Sequence, residues 1–445
     1  MIRFFLFFLF FPLIIFSQEC QDDNNEWVQV GDVIDGENVA YNFFGANSVI
    51  NQQGDIIASV EKGSDLNGVI KVYQNIDNVW TQLGEDINNP NLDFNCSAGG
   101  DVSSLNSLAM NSSGTIITVV SCNPISQFSQ RGMVTYEYLD GSWIQKGEII
   151  YQSTYNSNTY GYSSVSISDD GNTIAAKVAK ENSVLGAGKV KTWKFLNNQW
   201  TELEVDFNTV STNNNNEIIG RSYAPYTGGF DHNGYNAWNG ANSAAYSATF
   251  GQTVSLSGDG LTLAVGGGTW QGSQTNSGRS RVSIYKFINE KWTHKGEPIV
   301  QEYYLNAYGG GFGYDVELSY DGDSVVFSDT WDDGTSEGDF NIGKGSISVY
   351  KYYDYTNNWS IIGEKIMGET GDRLGASVSI SDDGNIIAAG TDWAAGSGNG
   401  YVIVYQKINN SWTQLGQKML IGGTYSNNAQ LNGDGTTIVL ASPAN

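Results

Sequence analysis

The side chains best placed for chemistry in this sequence sit in loops. Between 329 and 339 the stretch DTWDDGTSEGD gathers Asp329, Asp332, Asp333, Glu337 and Asp339. Carboxylates at that density supply enough hard oxygen for a calcium ion. Their spacing does not follow the EF-hand pattern, so a solvated acidic loop is the plainer reading. Three Trp residues follow apolar strands in successive units: Trp270 in GGGTWQGSQTNSG, Trp331 in the acidic loop and Trp393 in GTDWAAGSGNG. An indole beside Asp332 or Asp392 is what a sugar surface uses, since the ring face stacks and the carboxylate takes hydroxyls. The plainer alternative is that each Trp plugs its own loop. The longest connection, 206–249, adds Tyr235 and Trp238 to this ligand-binding set. Connections of that length are either functional or disordered, and its many aromatics argue against plain disorder.

Catalytic constellations are scarce. Only two His exist, His232 and His294, so a Ser-His-Asp or His-metal site lacks parts. Glycoside hydrolysis needs only two carboxyl groups about 5–9.5 Å apart, which leaves Asp332 and Asp392 as an alternative, enzymatic reading. The three Cys, at 20, 96 and 122, match no zinc spacing. Cys96 and Cys122 flank the second repeat and form a candidate disulfide, or remain two free thiols; Cys20 is left over. No cofactor is expected.

Charge narrows the partners. There are 22 Lys+Arg against 47 Asp+Glu, a formal charge of −25. Such a surface repels phosphate backbones and anionic lipid, so no nucleic acid is expected as a partner. The first 18 residues, MIRFFLFFLFFPLIIFSQ, place Arg3 before the apolar run Phe4–Phe16. That run is too short for a span of about 20 residues. It reads as a signal peptide over 1–18, cleaved near Ser17–Glu19, followed by a short segment 19–26. The mature chain is then secreted or displayed at the outer cell surface, with no membrane span left.

A repeat positions these loops. Seven two-residue turns recur, at Gly54-Asp55, Ser113-Gly114, Asp170-Gly171, Asp259-Gly260, Asp321-Gly322, Asp383-Gly384 and Asp434-Gly435. Seven Trp residues alternate with them: Trp27, Trp80, Trp143, Trp200, Trp292, Trp359 and Trp412. Six GxVxVY-type strands precede the later Trp residues, as in GSISVY at 345–350 and GYVIVY at 400–405. Each unit therefore reads as four strands, with Asp-Gly hairpins favoured because Gly accepts positive φ. Small or β-branched residues such as Ser377–Ser381 suit strands converging on an axis; Trp and Tyr suit outer strands, where neighbouring units diverge. The prediction is an all-β, seven-bladed β-propeller of four-stranded antiparallel blades over 27–445, with 206–249 as a long insert. The Trp27 strand completes the last blade. One third strand is missing from the count, and two facing unpaired edges are hazardous. The expectation is a fragment whose natural chain continues, with a three-stranded last blade as the competing reading.

The units resemble FG-GAP repeats, the propeller repeats of integrin α-subunits, in the form found in exported bacterial proteins. Phe44-Gly45, Phe250-Gly251 and Phe312-Gly313 carry the "FG", and Ala441-Ser442-Pro443 best carries the "GAP". The resemblance implies a propeller. Calcium-binding members place a DxDxDG loop in the first hairpin; here that hairpin is a tight turn, SDDGN at 381–385, so calcium there is not implied. The functional expectation is an exported, non-catalytic, monomeric scaffold for adhesion-type binding of an extracellular protein or glycan. Its binding face carries the second-to-third and fourth-to-first connections. The alternatives are the carboxylate enzyme above and a structural spacer in a larger surface protein.

Overall fold

A computed structural model describes residues 14–18, 26–35, 45, 47–61, 69–88, 107–120, 132–151, 164–178, 189–205, 218–219, 247–248, 251–267, 269–270, 281–301, 311–334, 343–391, 400–421 and 428–441. Among them every regular element is a β-strand. Seven sheets have four or more strands, and one two-stranded ladder joins Ser247–Ala248 to Thr269–Trp270. In six of the seven large sheets the four main strands lie in chain order, inner to outer, as antiparallel neighbours. Val165–Ile167, Thr173–Val178, Lys189–Leu196 and Gln199–Glu202 are one example.

The seven innermost strands stand side by side in a closed cycle. Ser48–Ile50 neighbours Leu108–Met110, and the series runs on through Val165–Ile167, Val254–Leu256, Phe312–Leu318, Leu374–Ile380 and Asn428–Leu431 before returning to Ser48–Ile50. This is a β-propeller arrangement. Its core lies between sheets rather than within one. Each apolar cluster spans two neighbours, as where Val60, Ile70 and Val72 meet Val119, Val134 and Tyr136.

The outer strand is short and is stapled to the preceding sheet by its Trp. Trp143 Nε1 donates to Leu83 O at 2.8 Å, Trp359 Nε1 to Lys295 O at 2.6 Å and Trp412 Nε1 to Ile362 O at 3.0 Å. The residue after each acceptor is a glycine at positive φ. At Gly84 (φ +76) an added Cβ lies 2.9 Å from the Trp143 ring, so the glycine serves both the bend and the seat of the indole. The seven Trp thus hold sheets together. Trp200 keeps the pattern, donating to Lys146 O at 3.1 Å beside Gly147; Trp292 departs from it, since WTELE has Glu204 where the glycine would stand and Trp292 Nε1 donates to Thr192 Oγ1 at 2.7 Å instead.

The closing sheet corrects one expectation. Its order is Asn428–Leu431, Thr437–Ala441, Ile14–Gln18, Trp27–Gln29. Trp27 is the outer strand as expected, its Nε1 donating to Leu415 O at 2.9 Å. The missing third strand is present: Ile14–Gln18 pairs with Thr437–Leu440 on one side and with Trp27–Gln29 on the other. The sheet is neither three-stranded nor short of a partner, so this argument for a fragment falls away. The reason is physical. A vacant slot between two paired edges demands backbone partners, and an apolar leader-like run meets that demand as well as a GxVxVY strand does. Ile15 is fully buried there.

Two outcomes test this wiring. Chain lacking residues 1–18 exposes both edges of the slot; it should melt earlier than the full chain and self-associate in size-exclusion chromatography. Trp359→Phe removes one buried hydrogen bond while keeping most of the packing, and should cost about 1–2 kcal/mol in denaturant unfolding.

Candidate functional site

The inner strands enclose an axial channel of about 190 Å³. Its wall follows from a problem of backbone chemistry. The inner strand of each sheet has one edge facing the neighbouring sheet, and its N–H groups there need acceptors. Side chains of the neighbour supply them. Ser164 and Ser166 Oγ accept from Val254 and Leu256 N, each at 2.9 Å. Ser255 accepts from Leu318 N at 3.0 Å. Asp315 and Glu317 accept from Val378 and Ile380 N at 2.8 and 3.1 Å. Ser377 and Ser379 accept from Ala429 and Leu431 N, and Gln430 from Ile50 N. The serines are therefore acceptors, a role beyond the close packing that their size suggests. The series stops in one sector. Val49 and Ala109 occupy the matching register and carry no acceptor. Asn47 Oδ1 and Ser107 Oγ are buried there without a hydrogen-bond partner among the described residues.

At the first-hairpin end of the channel each turn lends one residue to a ring. Gln52 N donates to Ser112 O at 3.1 Å, and Ser112 Oγ to Asp169 O at 3.3 Å. Asp169 N then donates to Gly258 O, Gly258 N to Tyr320 O, Tyr320 N to Asp382 O, Asp382 N to Gly433 O, and Gly433 N back to Gln52 O, at 2.7–3.2 Å. Glycine at two of the seven positions makes room for neighbours. Tyr320 and Asp169 close over Gly258; Gln52 and Asp382 close over Gly433, with Gln52 Nε2 donating to Asp382 Oδ2. The next residue in most turns is the Asp of Asp-Gly, and it serves the turn. Asp383 Oδ1 accepts from Ser381 Oγ and Asn385 N at 2.7 and 2.9 Å.

Carboxyl groups here titrate unusually. Burial, then Asp382, Asp170 and Asp259, push Asp169 up to about 6. Burial raises Asp382 too, with Asp383 and Asp434 adding to it and the Gln52 hydrogen bond opposing. Glu317 in the wall rises to about 8, mainly through burial, with Asp315 and Asp382 adding to it and bonds from Ser379 and Ile380 opposing. Burial likewise tends to raise Asp383, but the Asn385 and Ser381 bonds outweigh it and hold the group low.

The loop residues singled out by sequence lie elsewhere. Asp329 is buried at the end of its strand, accepts from Gln301 Nε2 at 3.0 Å, and is pushed up to about 7 by burial and Asp332. Asp332 accepts from Gly334 N, Ser346 Oγ and Lys365 Nζ at 2.8–2.9 Å. Asp333 is buried as well. These three brace the loop, so the picture of a solvated acidic loop does not hold for them. Arg373 lies over the Trp331 ring at 4.1 Å, occupying the face a sugar would stack on. Trp270 sits in the ladder with Ser247 from the long insert. Trp393, Asp392, Tyr235, Trp238, Glu337, Asp339, Cys96 and Cys122 lie outside the described residues. No cluster of three or more His, Cys, Asp or Glu suited to a metal occurs among the described residues.

Sequence reasoning missed the ring residues because they share a position and not a type. The aligned turns NQQGD, SDDGN, SGDGL, SYDGD and NGDGT do mark the second residue as the variable one.

No family model matches the chain, and no curated protein matches it. Solved structures do. The Kuenenia stuttgartiensis hydrazine synthase is 10% identical with a TM-score of 0.51, covering 92% of this chain and 95% of that one. A candidate 6-phosphogluconolactonase from Bacteroides uniformis is 11% identical (TM-score 0.48, 93% and 98% covered). The β-propeller domain of the Trilobed protease from Pyrococcus furiosus is 9% identical (TM-score 0.43, 85% and 86% covered). The fold is a β-propeller. At such identities the likeness extends to the fold alone.

The raised carboxyls carry a pH signature. Each binds its proton more tightly folded than unfolded, so between its ordinary and raised values the native state holds more protons and stability falls as pH rises. Glu317→Gln keeps an acceptor for Ile380 N–H and cannot ionise. Its melting temperature should gain on the parent chain from pH 5 upward and level off above about pH 8. Parallel profiles would show that Glu317 ionises normally.

Proposed function

We propose that this chain is an exported, non-catalytic binding scaffold of FG-GAP-like type. In this reading the seven sheets are seven blades of one monomeric propeller, which requires Ile14–Gln18 to stay in the exported chain and not to be cleaved with a leader, and the face carrying the long connections takes an extracellular protein or glycan. One observation carries the proposal: the asymmetry of the two faces. The first hairpins all have five-residue connections (51–55, 111–115, 168–172, 257–261, 319–323, 381–385, 432–436), and most outer hairpins have two. The connections on the opposite face run from 62–68 up to the long stretch between Val205 and Val254. A rigid scaffold with most of its variable length on one face is built to present loops. The carboxylates that could serve hydrolysis speak for binding as well. Of the pair Asp332 and Asp392, Asp332 is engaged with Ser346 and Lys365, which favours the binding reading.

A glycan array and a reducing-end release assay on the purified chain test the proposal. The expected result is retention of a glycan class, or of a cell-surface protein, with no release of reducing ends. Release that disappears in Asp332→Ala would replace the scaffold reading with the glycan-active enzyme.

A further inference from the structure

We propose that the axial channel is a second binding site, for a linear organic polycation: a polyamine-type chain of ammonium groups separated by methylenes. It is separate from the loop face and does not depend on what that face binds.

The lining sets the charge of the ligand. Among the described residues four carboxyl groups line the channel, Asp169, Asp315, Glu317 and Asp382, and no Lys, Arg or His does; burial raises Glu317 to about 8, so it adds little charge at pH 7. Asp169 and Asp382 are held at the first-hairpin end by the backbone ring, with no cation beside them among the described residues; Asp382 has the Gln52 amide. At the far end stands Asn47. Its side chain is 7% exposed, and its Oδ1 has no hydrogen-bond partner among the described residues. A buried acceptor left unmade costs about 1–3 kcal/mol, and an N–H donor inside the channel relieves it.

Shape sets the rest. Asn47 and the Gln52 ring position lie five residues apart, across the strand Ser48–Ile50 and the start of its turn, at most about 16 Å at the usual rise per residue. The acceptors therefore stand at two levels of the channel. Between them Val49 and Ala109 interrupt the polar wall. An extended chain with ammonium ends and apolar spacers matches that order of acceptor, apolar wall, carboxylate. A divalent metal does not, since no three His, Cys, Asp or Glu side chains gather among the described residues. A compact polyol reaches one level only.

Isothermal titration of the full chain with spermine tests this, with putrescine, sorbitol and calcium as comparison probes. One spermine per chain is expected, bound at least tenfold more tightly than putrescine, and sorbitol should give no heat. Asp169→Asn with Asp382→Asn should weaken spermine at least tenfold. Asp32→Asn, an exposed carboxylate away from the channel, should leave it unchanged. An equal loss in that control would assign the binding to the overall charge of −25 and overturn the site. Calcium binding more tightly than spermine, or sorbitol matching it, would overturn the ligand class. Should the double variant fold poorly, Asn47→Ala decides. Its side chain makes no hydrogen bond among the described residues, so the melting temperature should hold while spermine affinity falls several-fold. Unchanged affinity there would place the ligand outside the channel.

Discussion

The structure depends on satisfying the inner edge of each sheet. A sheet standing alone exposes its edge N–H groups; in a ring of sheets those edges face inward, and the neighbouring sheet must answer them. Here it does so with side chains: Ser164, Ser166, Ser255, Ser377 and Ser379, lengthening to Asp315, Glu317 and Gln430 where the gap requires reach. That one constraint sets the composition of the inner strands, the polarity of the channel and the burial of its carboxyl groups. Their raised affinity for protons follows from where they must stand.

The outer rim solves a different problem with the same economy of parts. Sheets diverge from the axis, and the widening gap takes indoles where the centre takes serines. Six of the seven indoles gain a second function, because the N–H reaches the carbonyl that the bend before a glycine leaves exposed; Trp292 bonds Thr192 instead. Inner acceptors and outer indoles together make every sheet depend on both neighbours. The ring is therefore only as sound as its closing sheet, which explains why the slot between Thr437–Ala441 and Trp27–Gln29 is filled by Ile14–Gln18.

Much of this was legible in the residues. Asp-Gly between apolar runs marked the hairpins, and Trp at regular intervals marked the outer strands, because turn chemistry and local periodicity are short-range properties. The seat of each Trp against the preceding glycine follows the motif WxxxG closely. The loop site was less legible. Asp332 and Trp331 look available in sequence, yet Lys365 and Arg373, more than thirty residues on, take them. Loop acids and aromatics are common enough that their type alone says little about their availability.

What the sequence alone determined is the repeat: strand periods, turn positions, and the gradient from small inner to large outer side chains, all governed by residues near one another in the chain. What only the tertiary structure decided is which residues meet across the ring. Gln52 with Asp382, Asp169 beside the Tyr320 ring, and Ile14–Gln18 beside Thr437–Leu440 are pairings between distant segments. No local pattern encodes them, because each exists only once the sheets have closed around an axis and brought the two ends of the chain together.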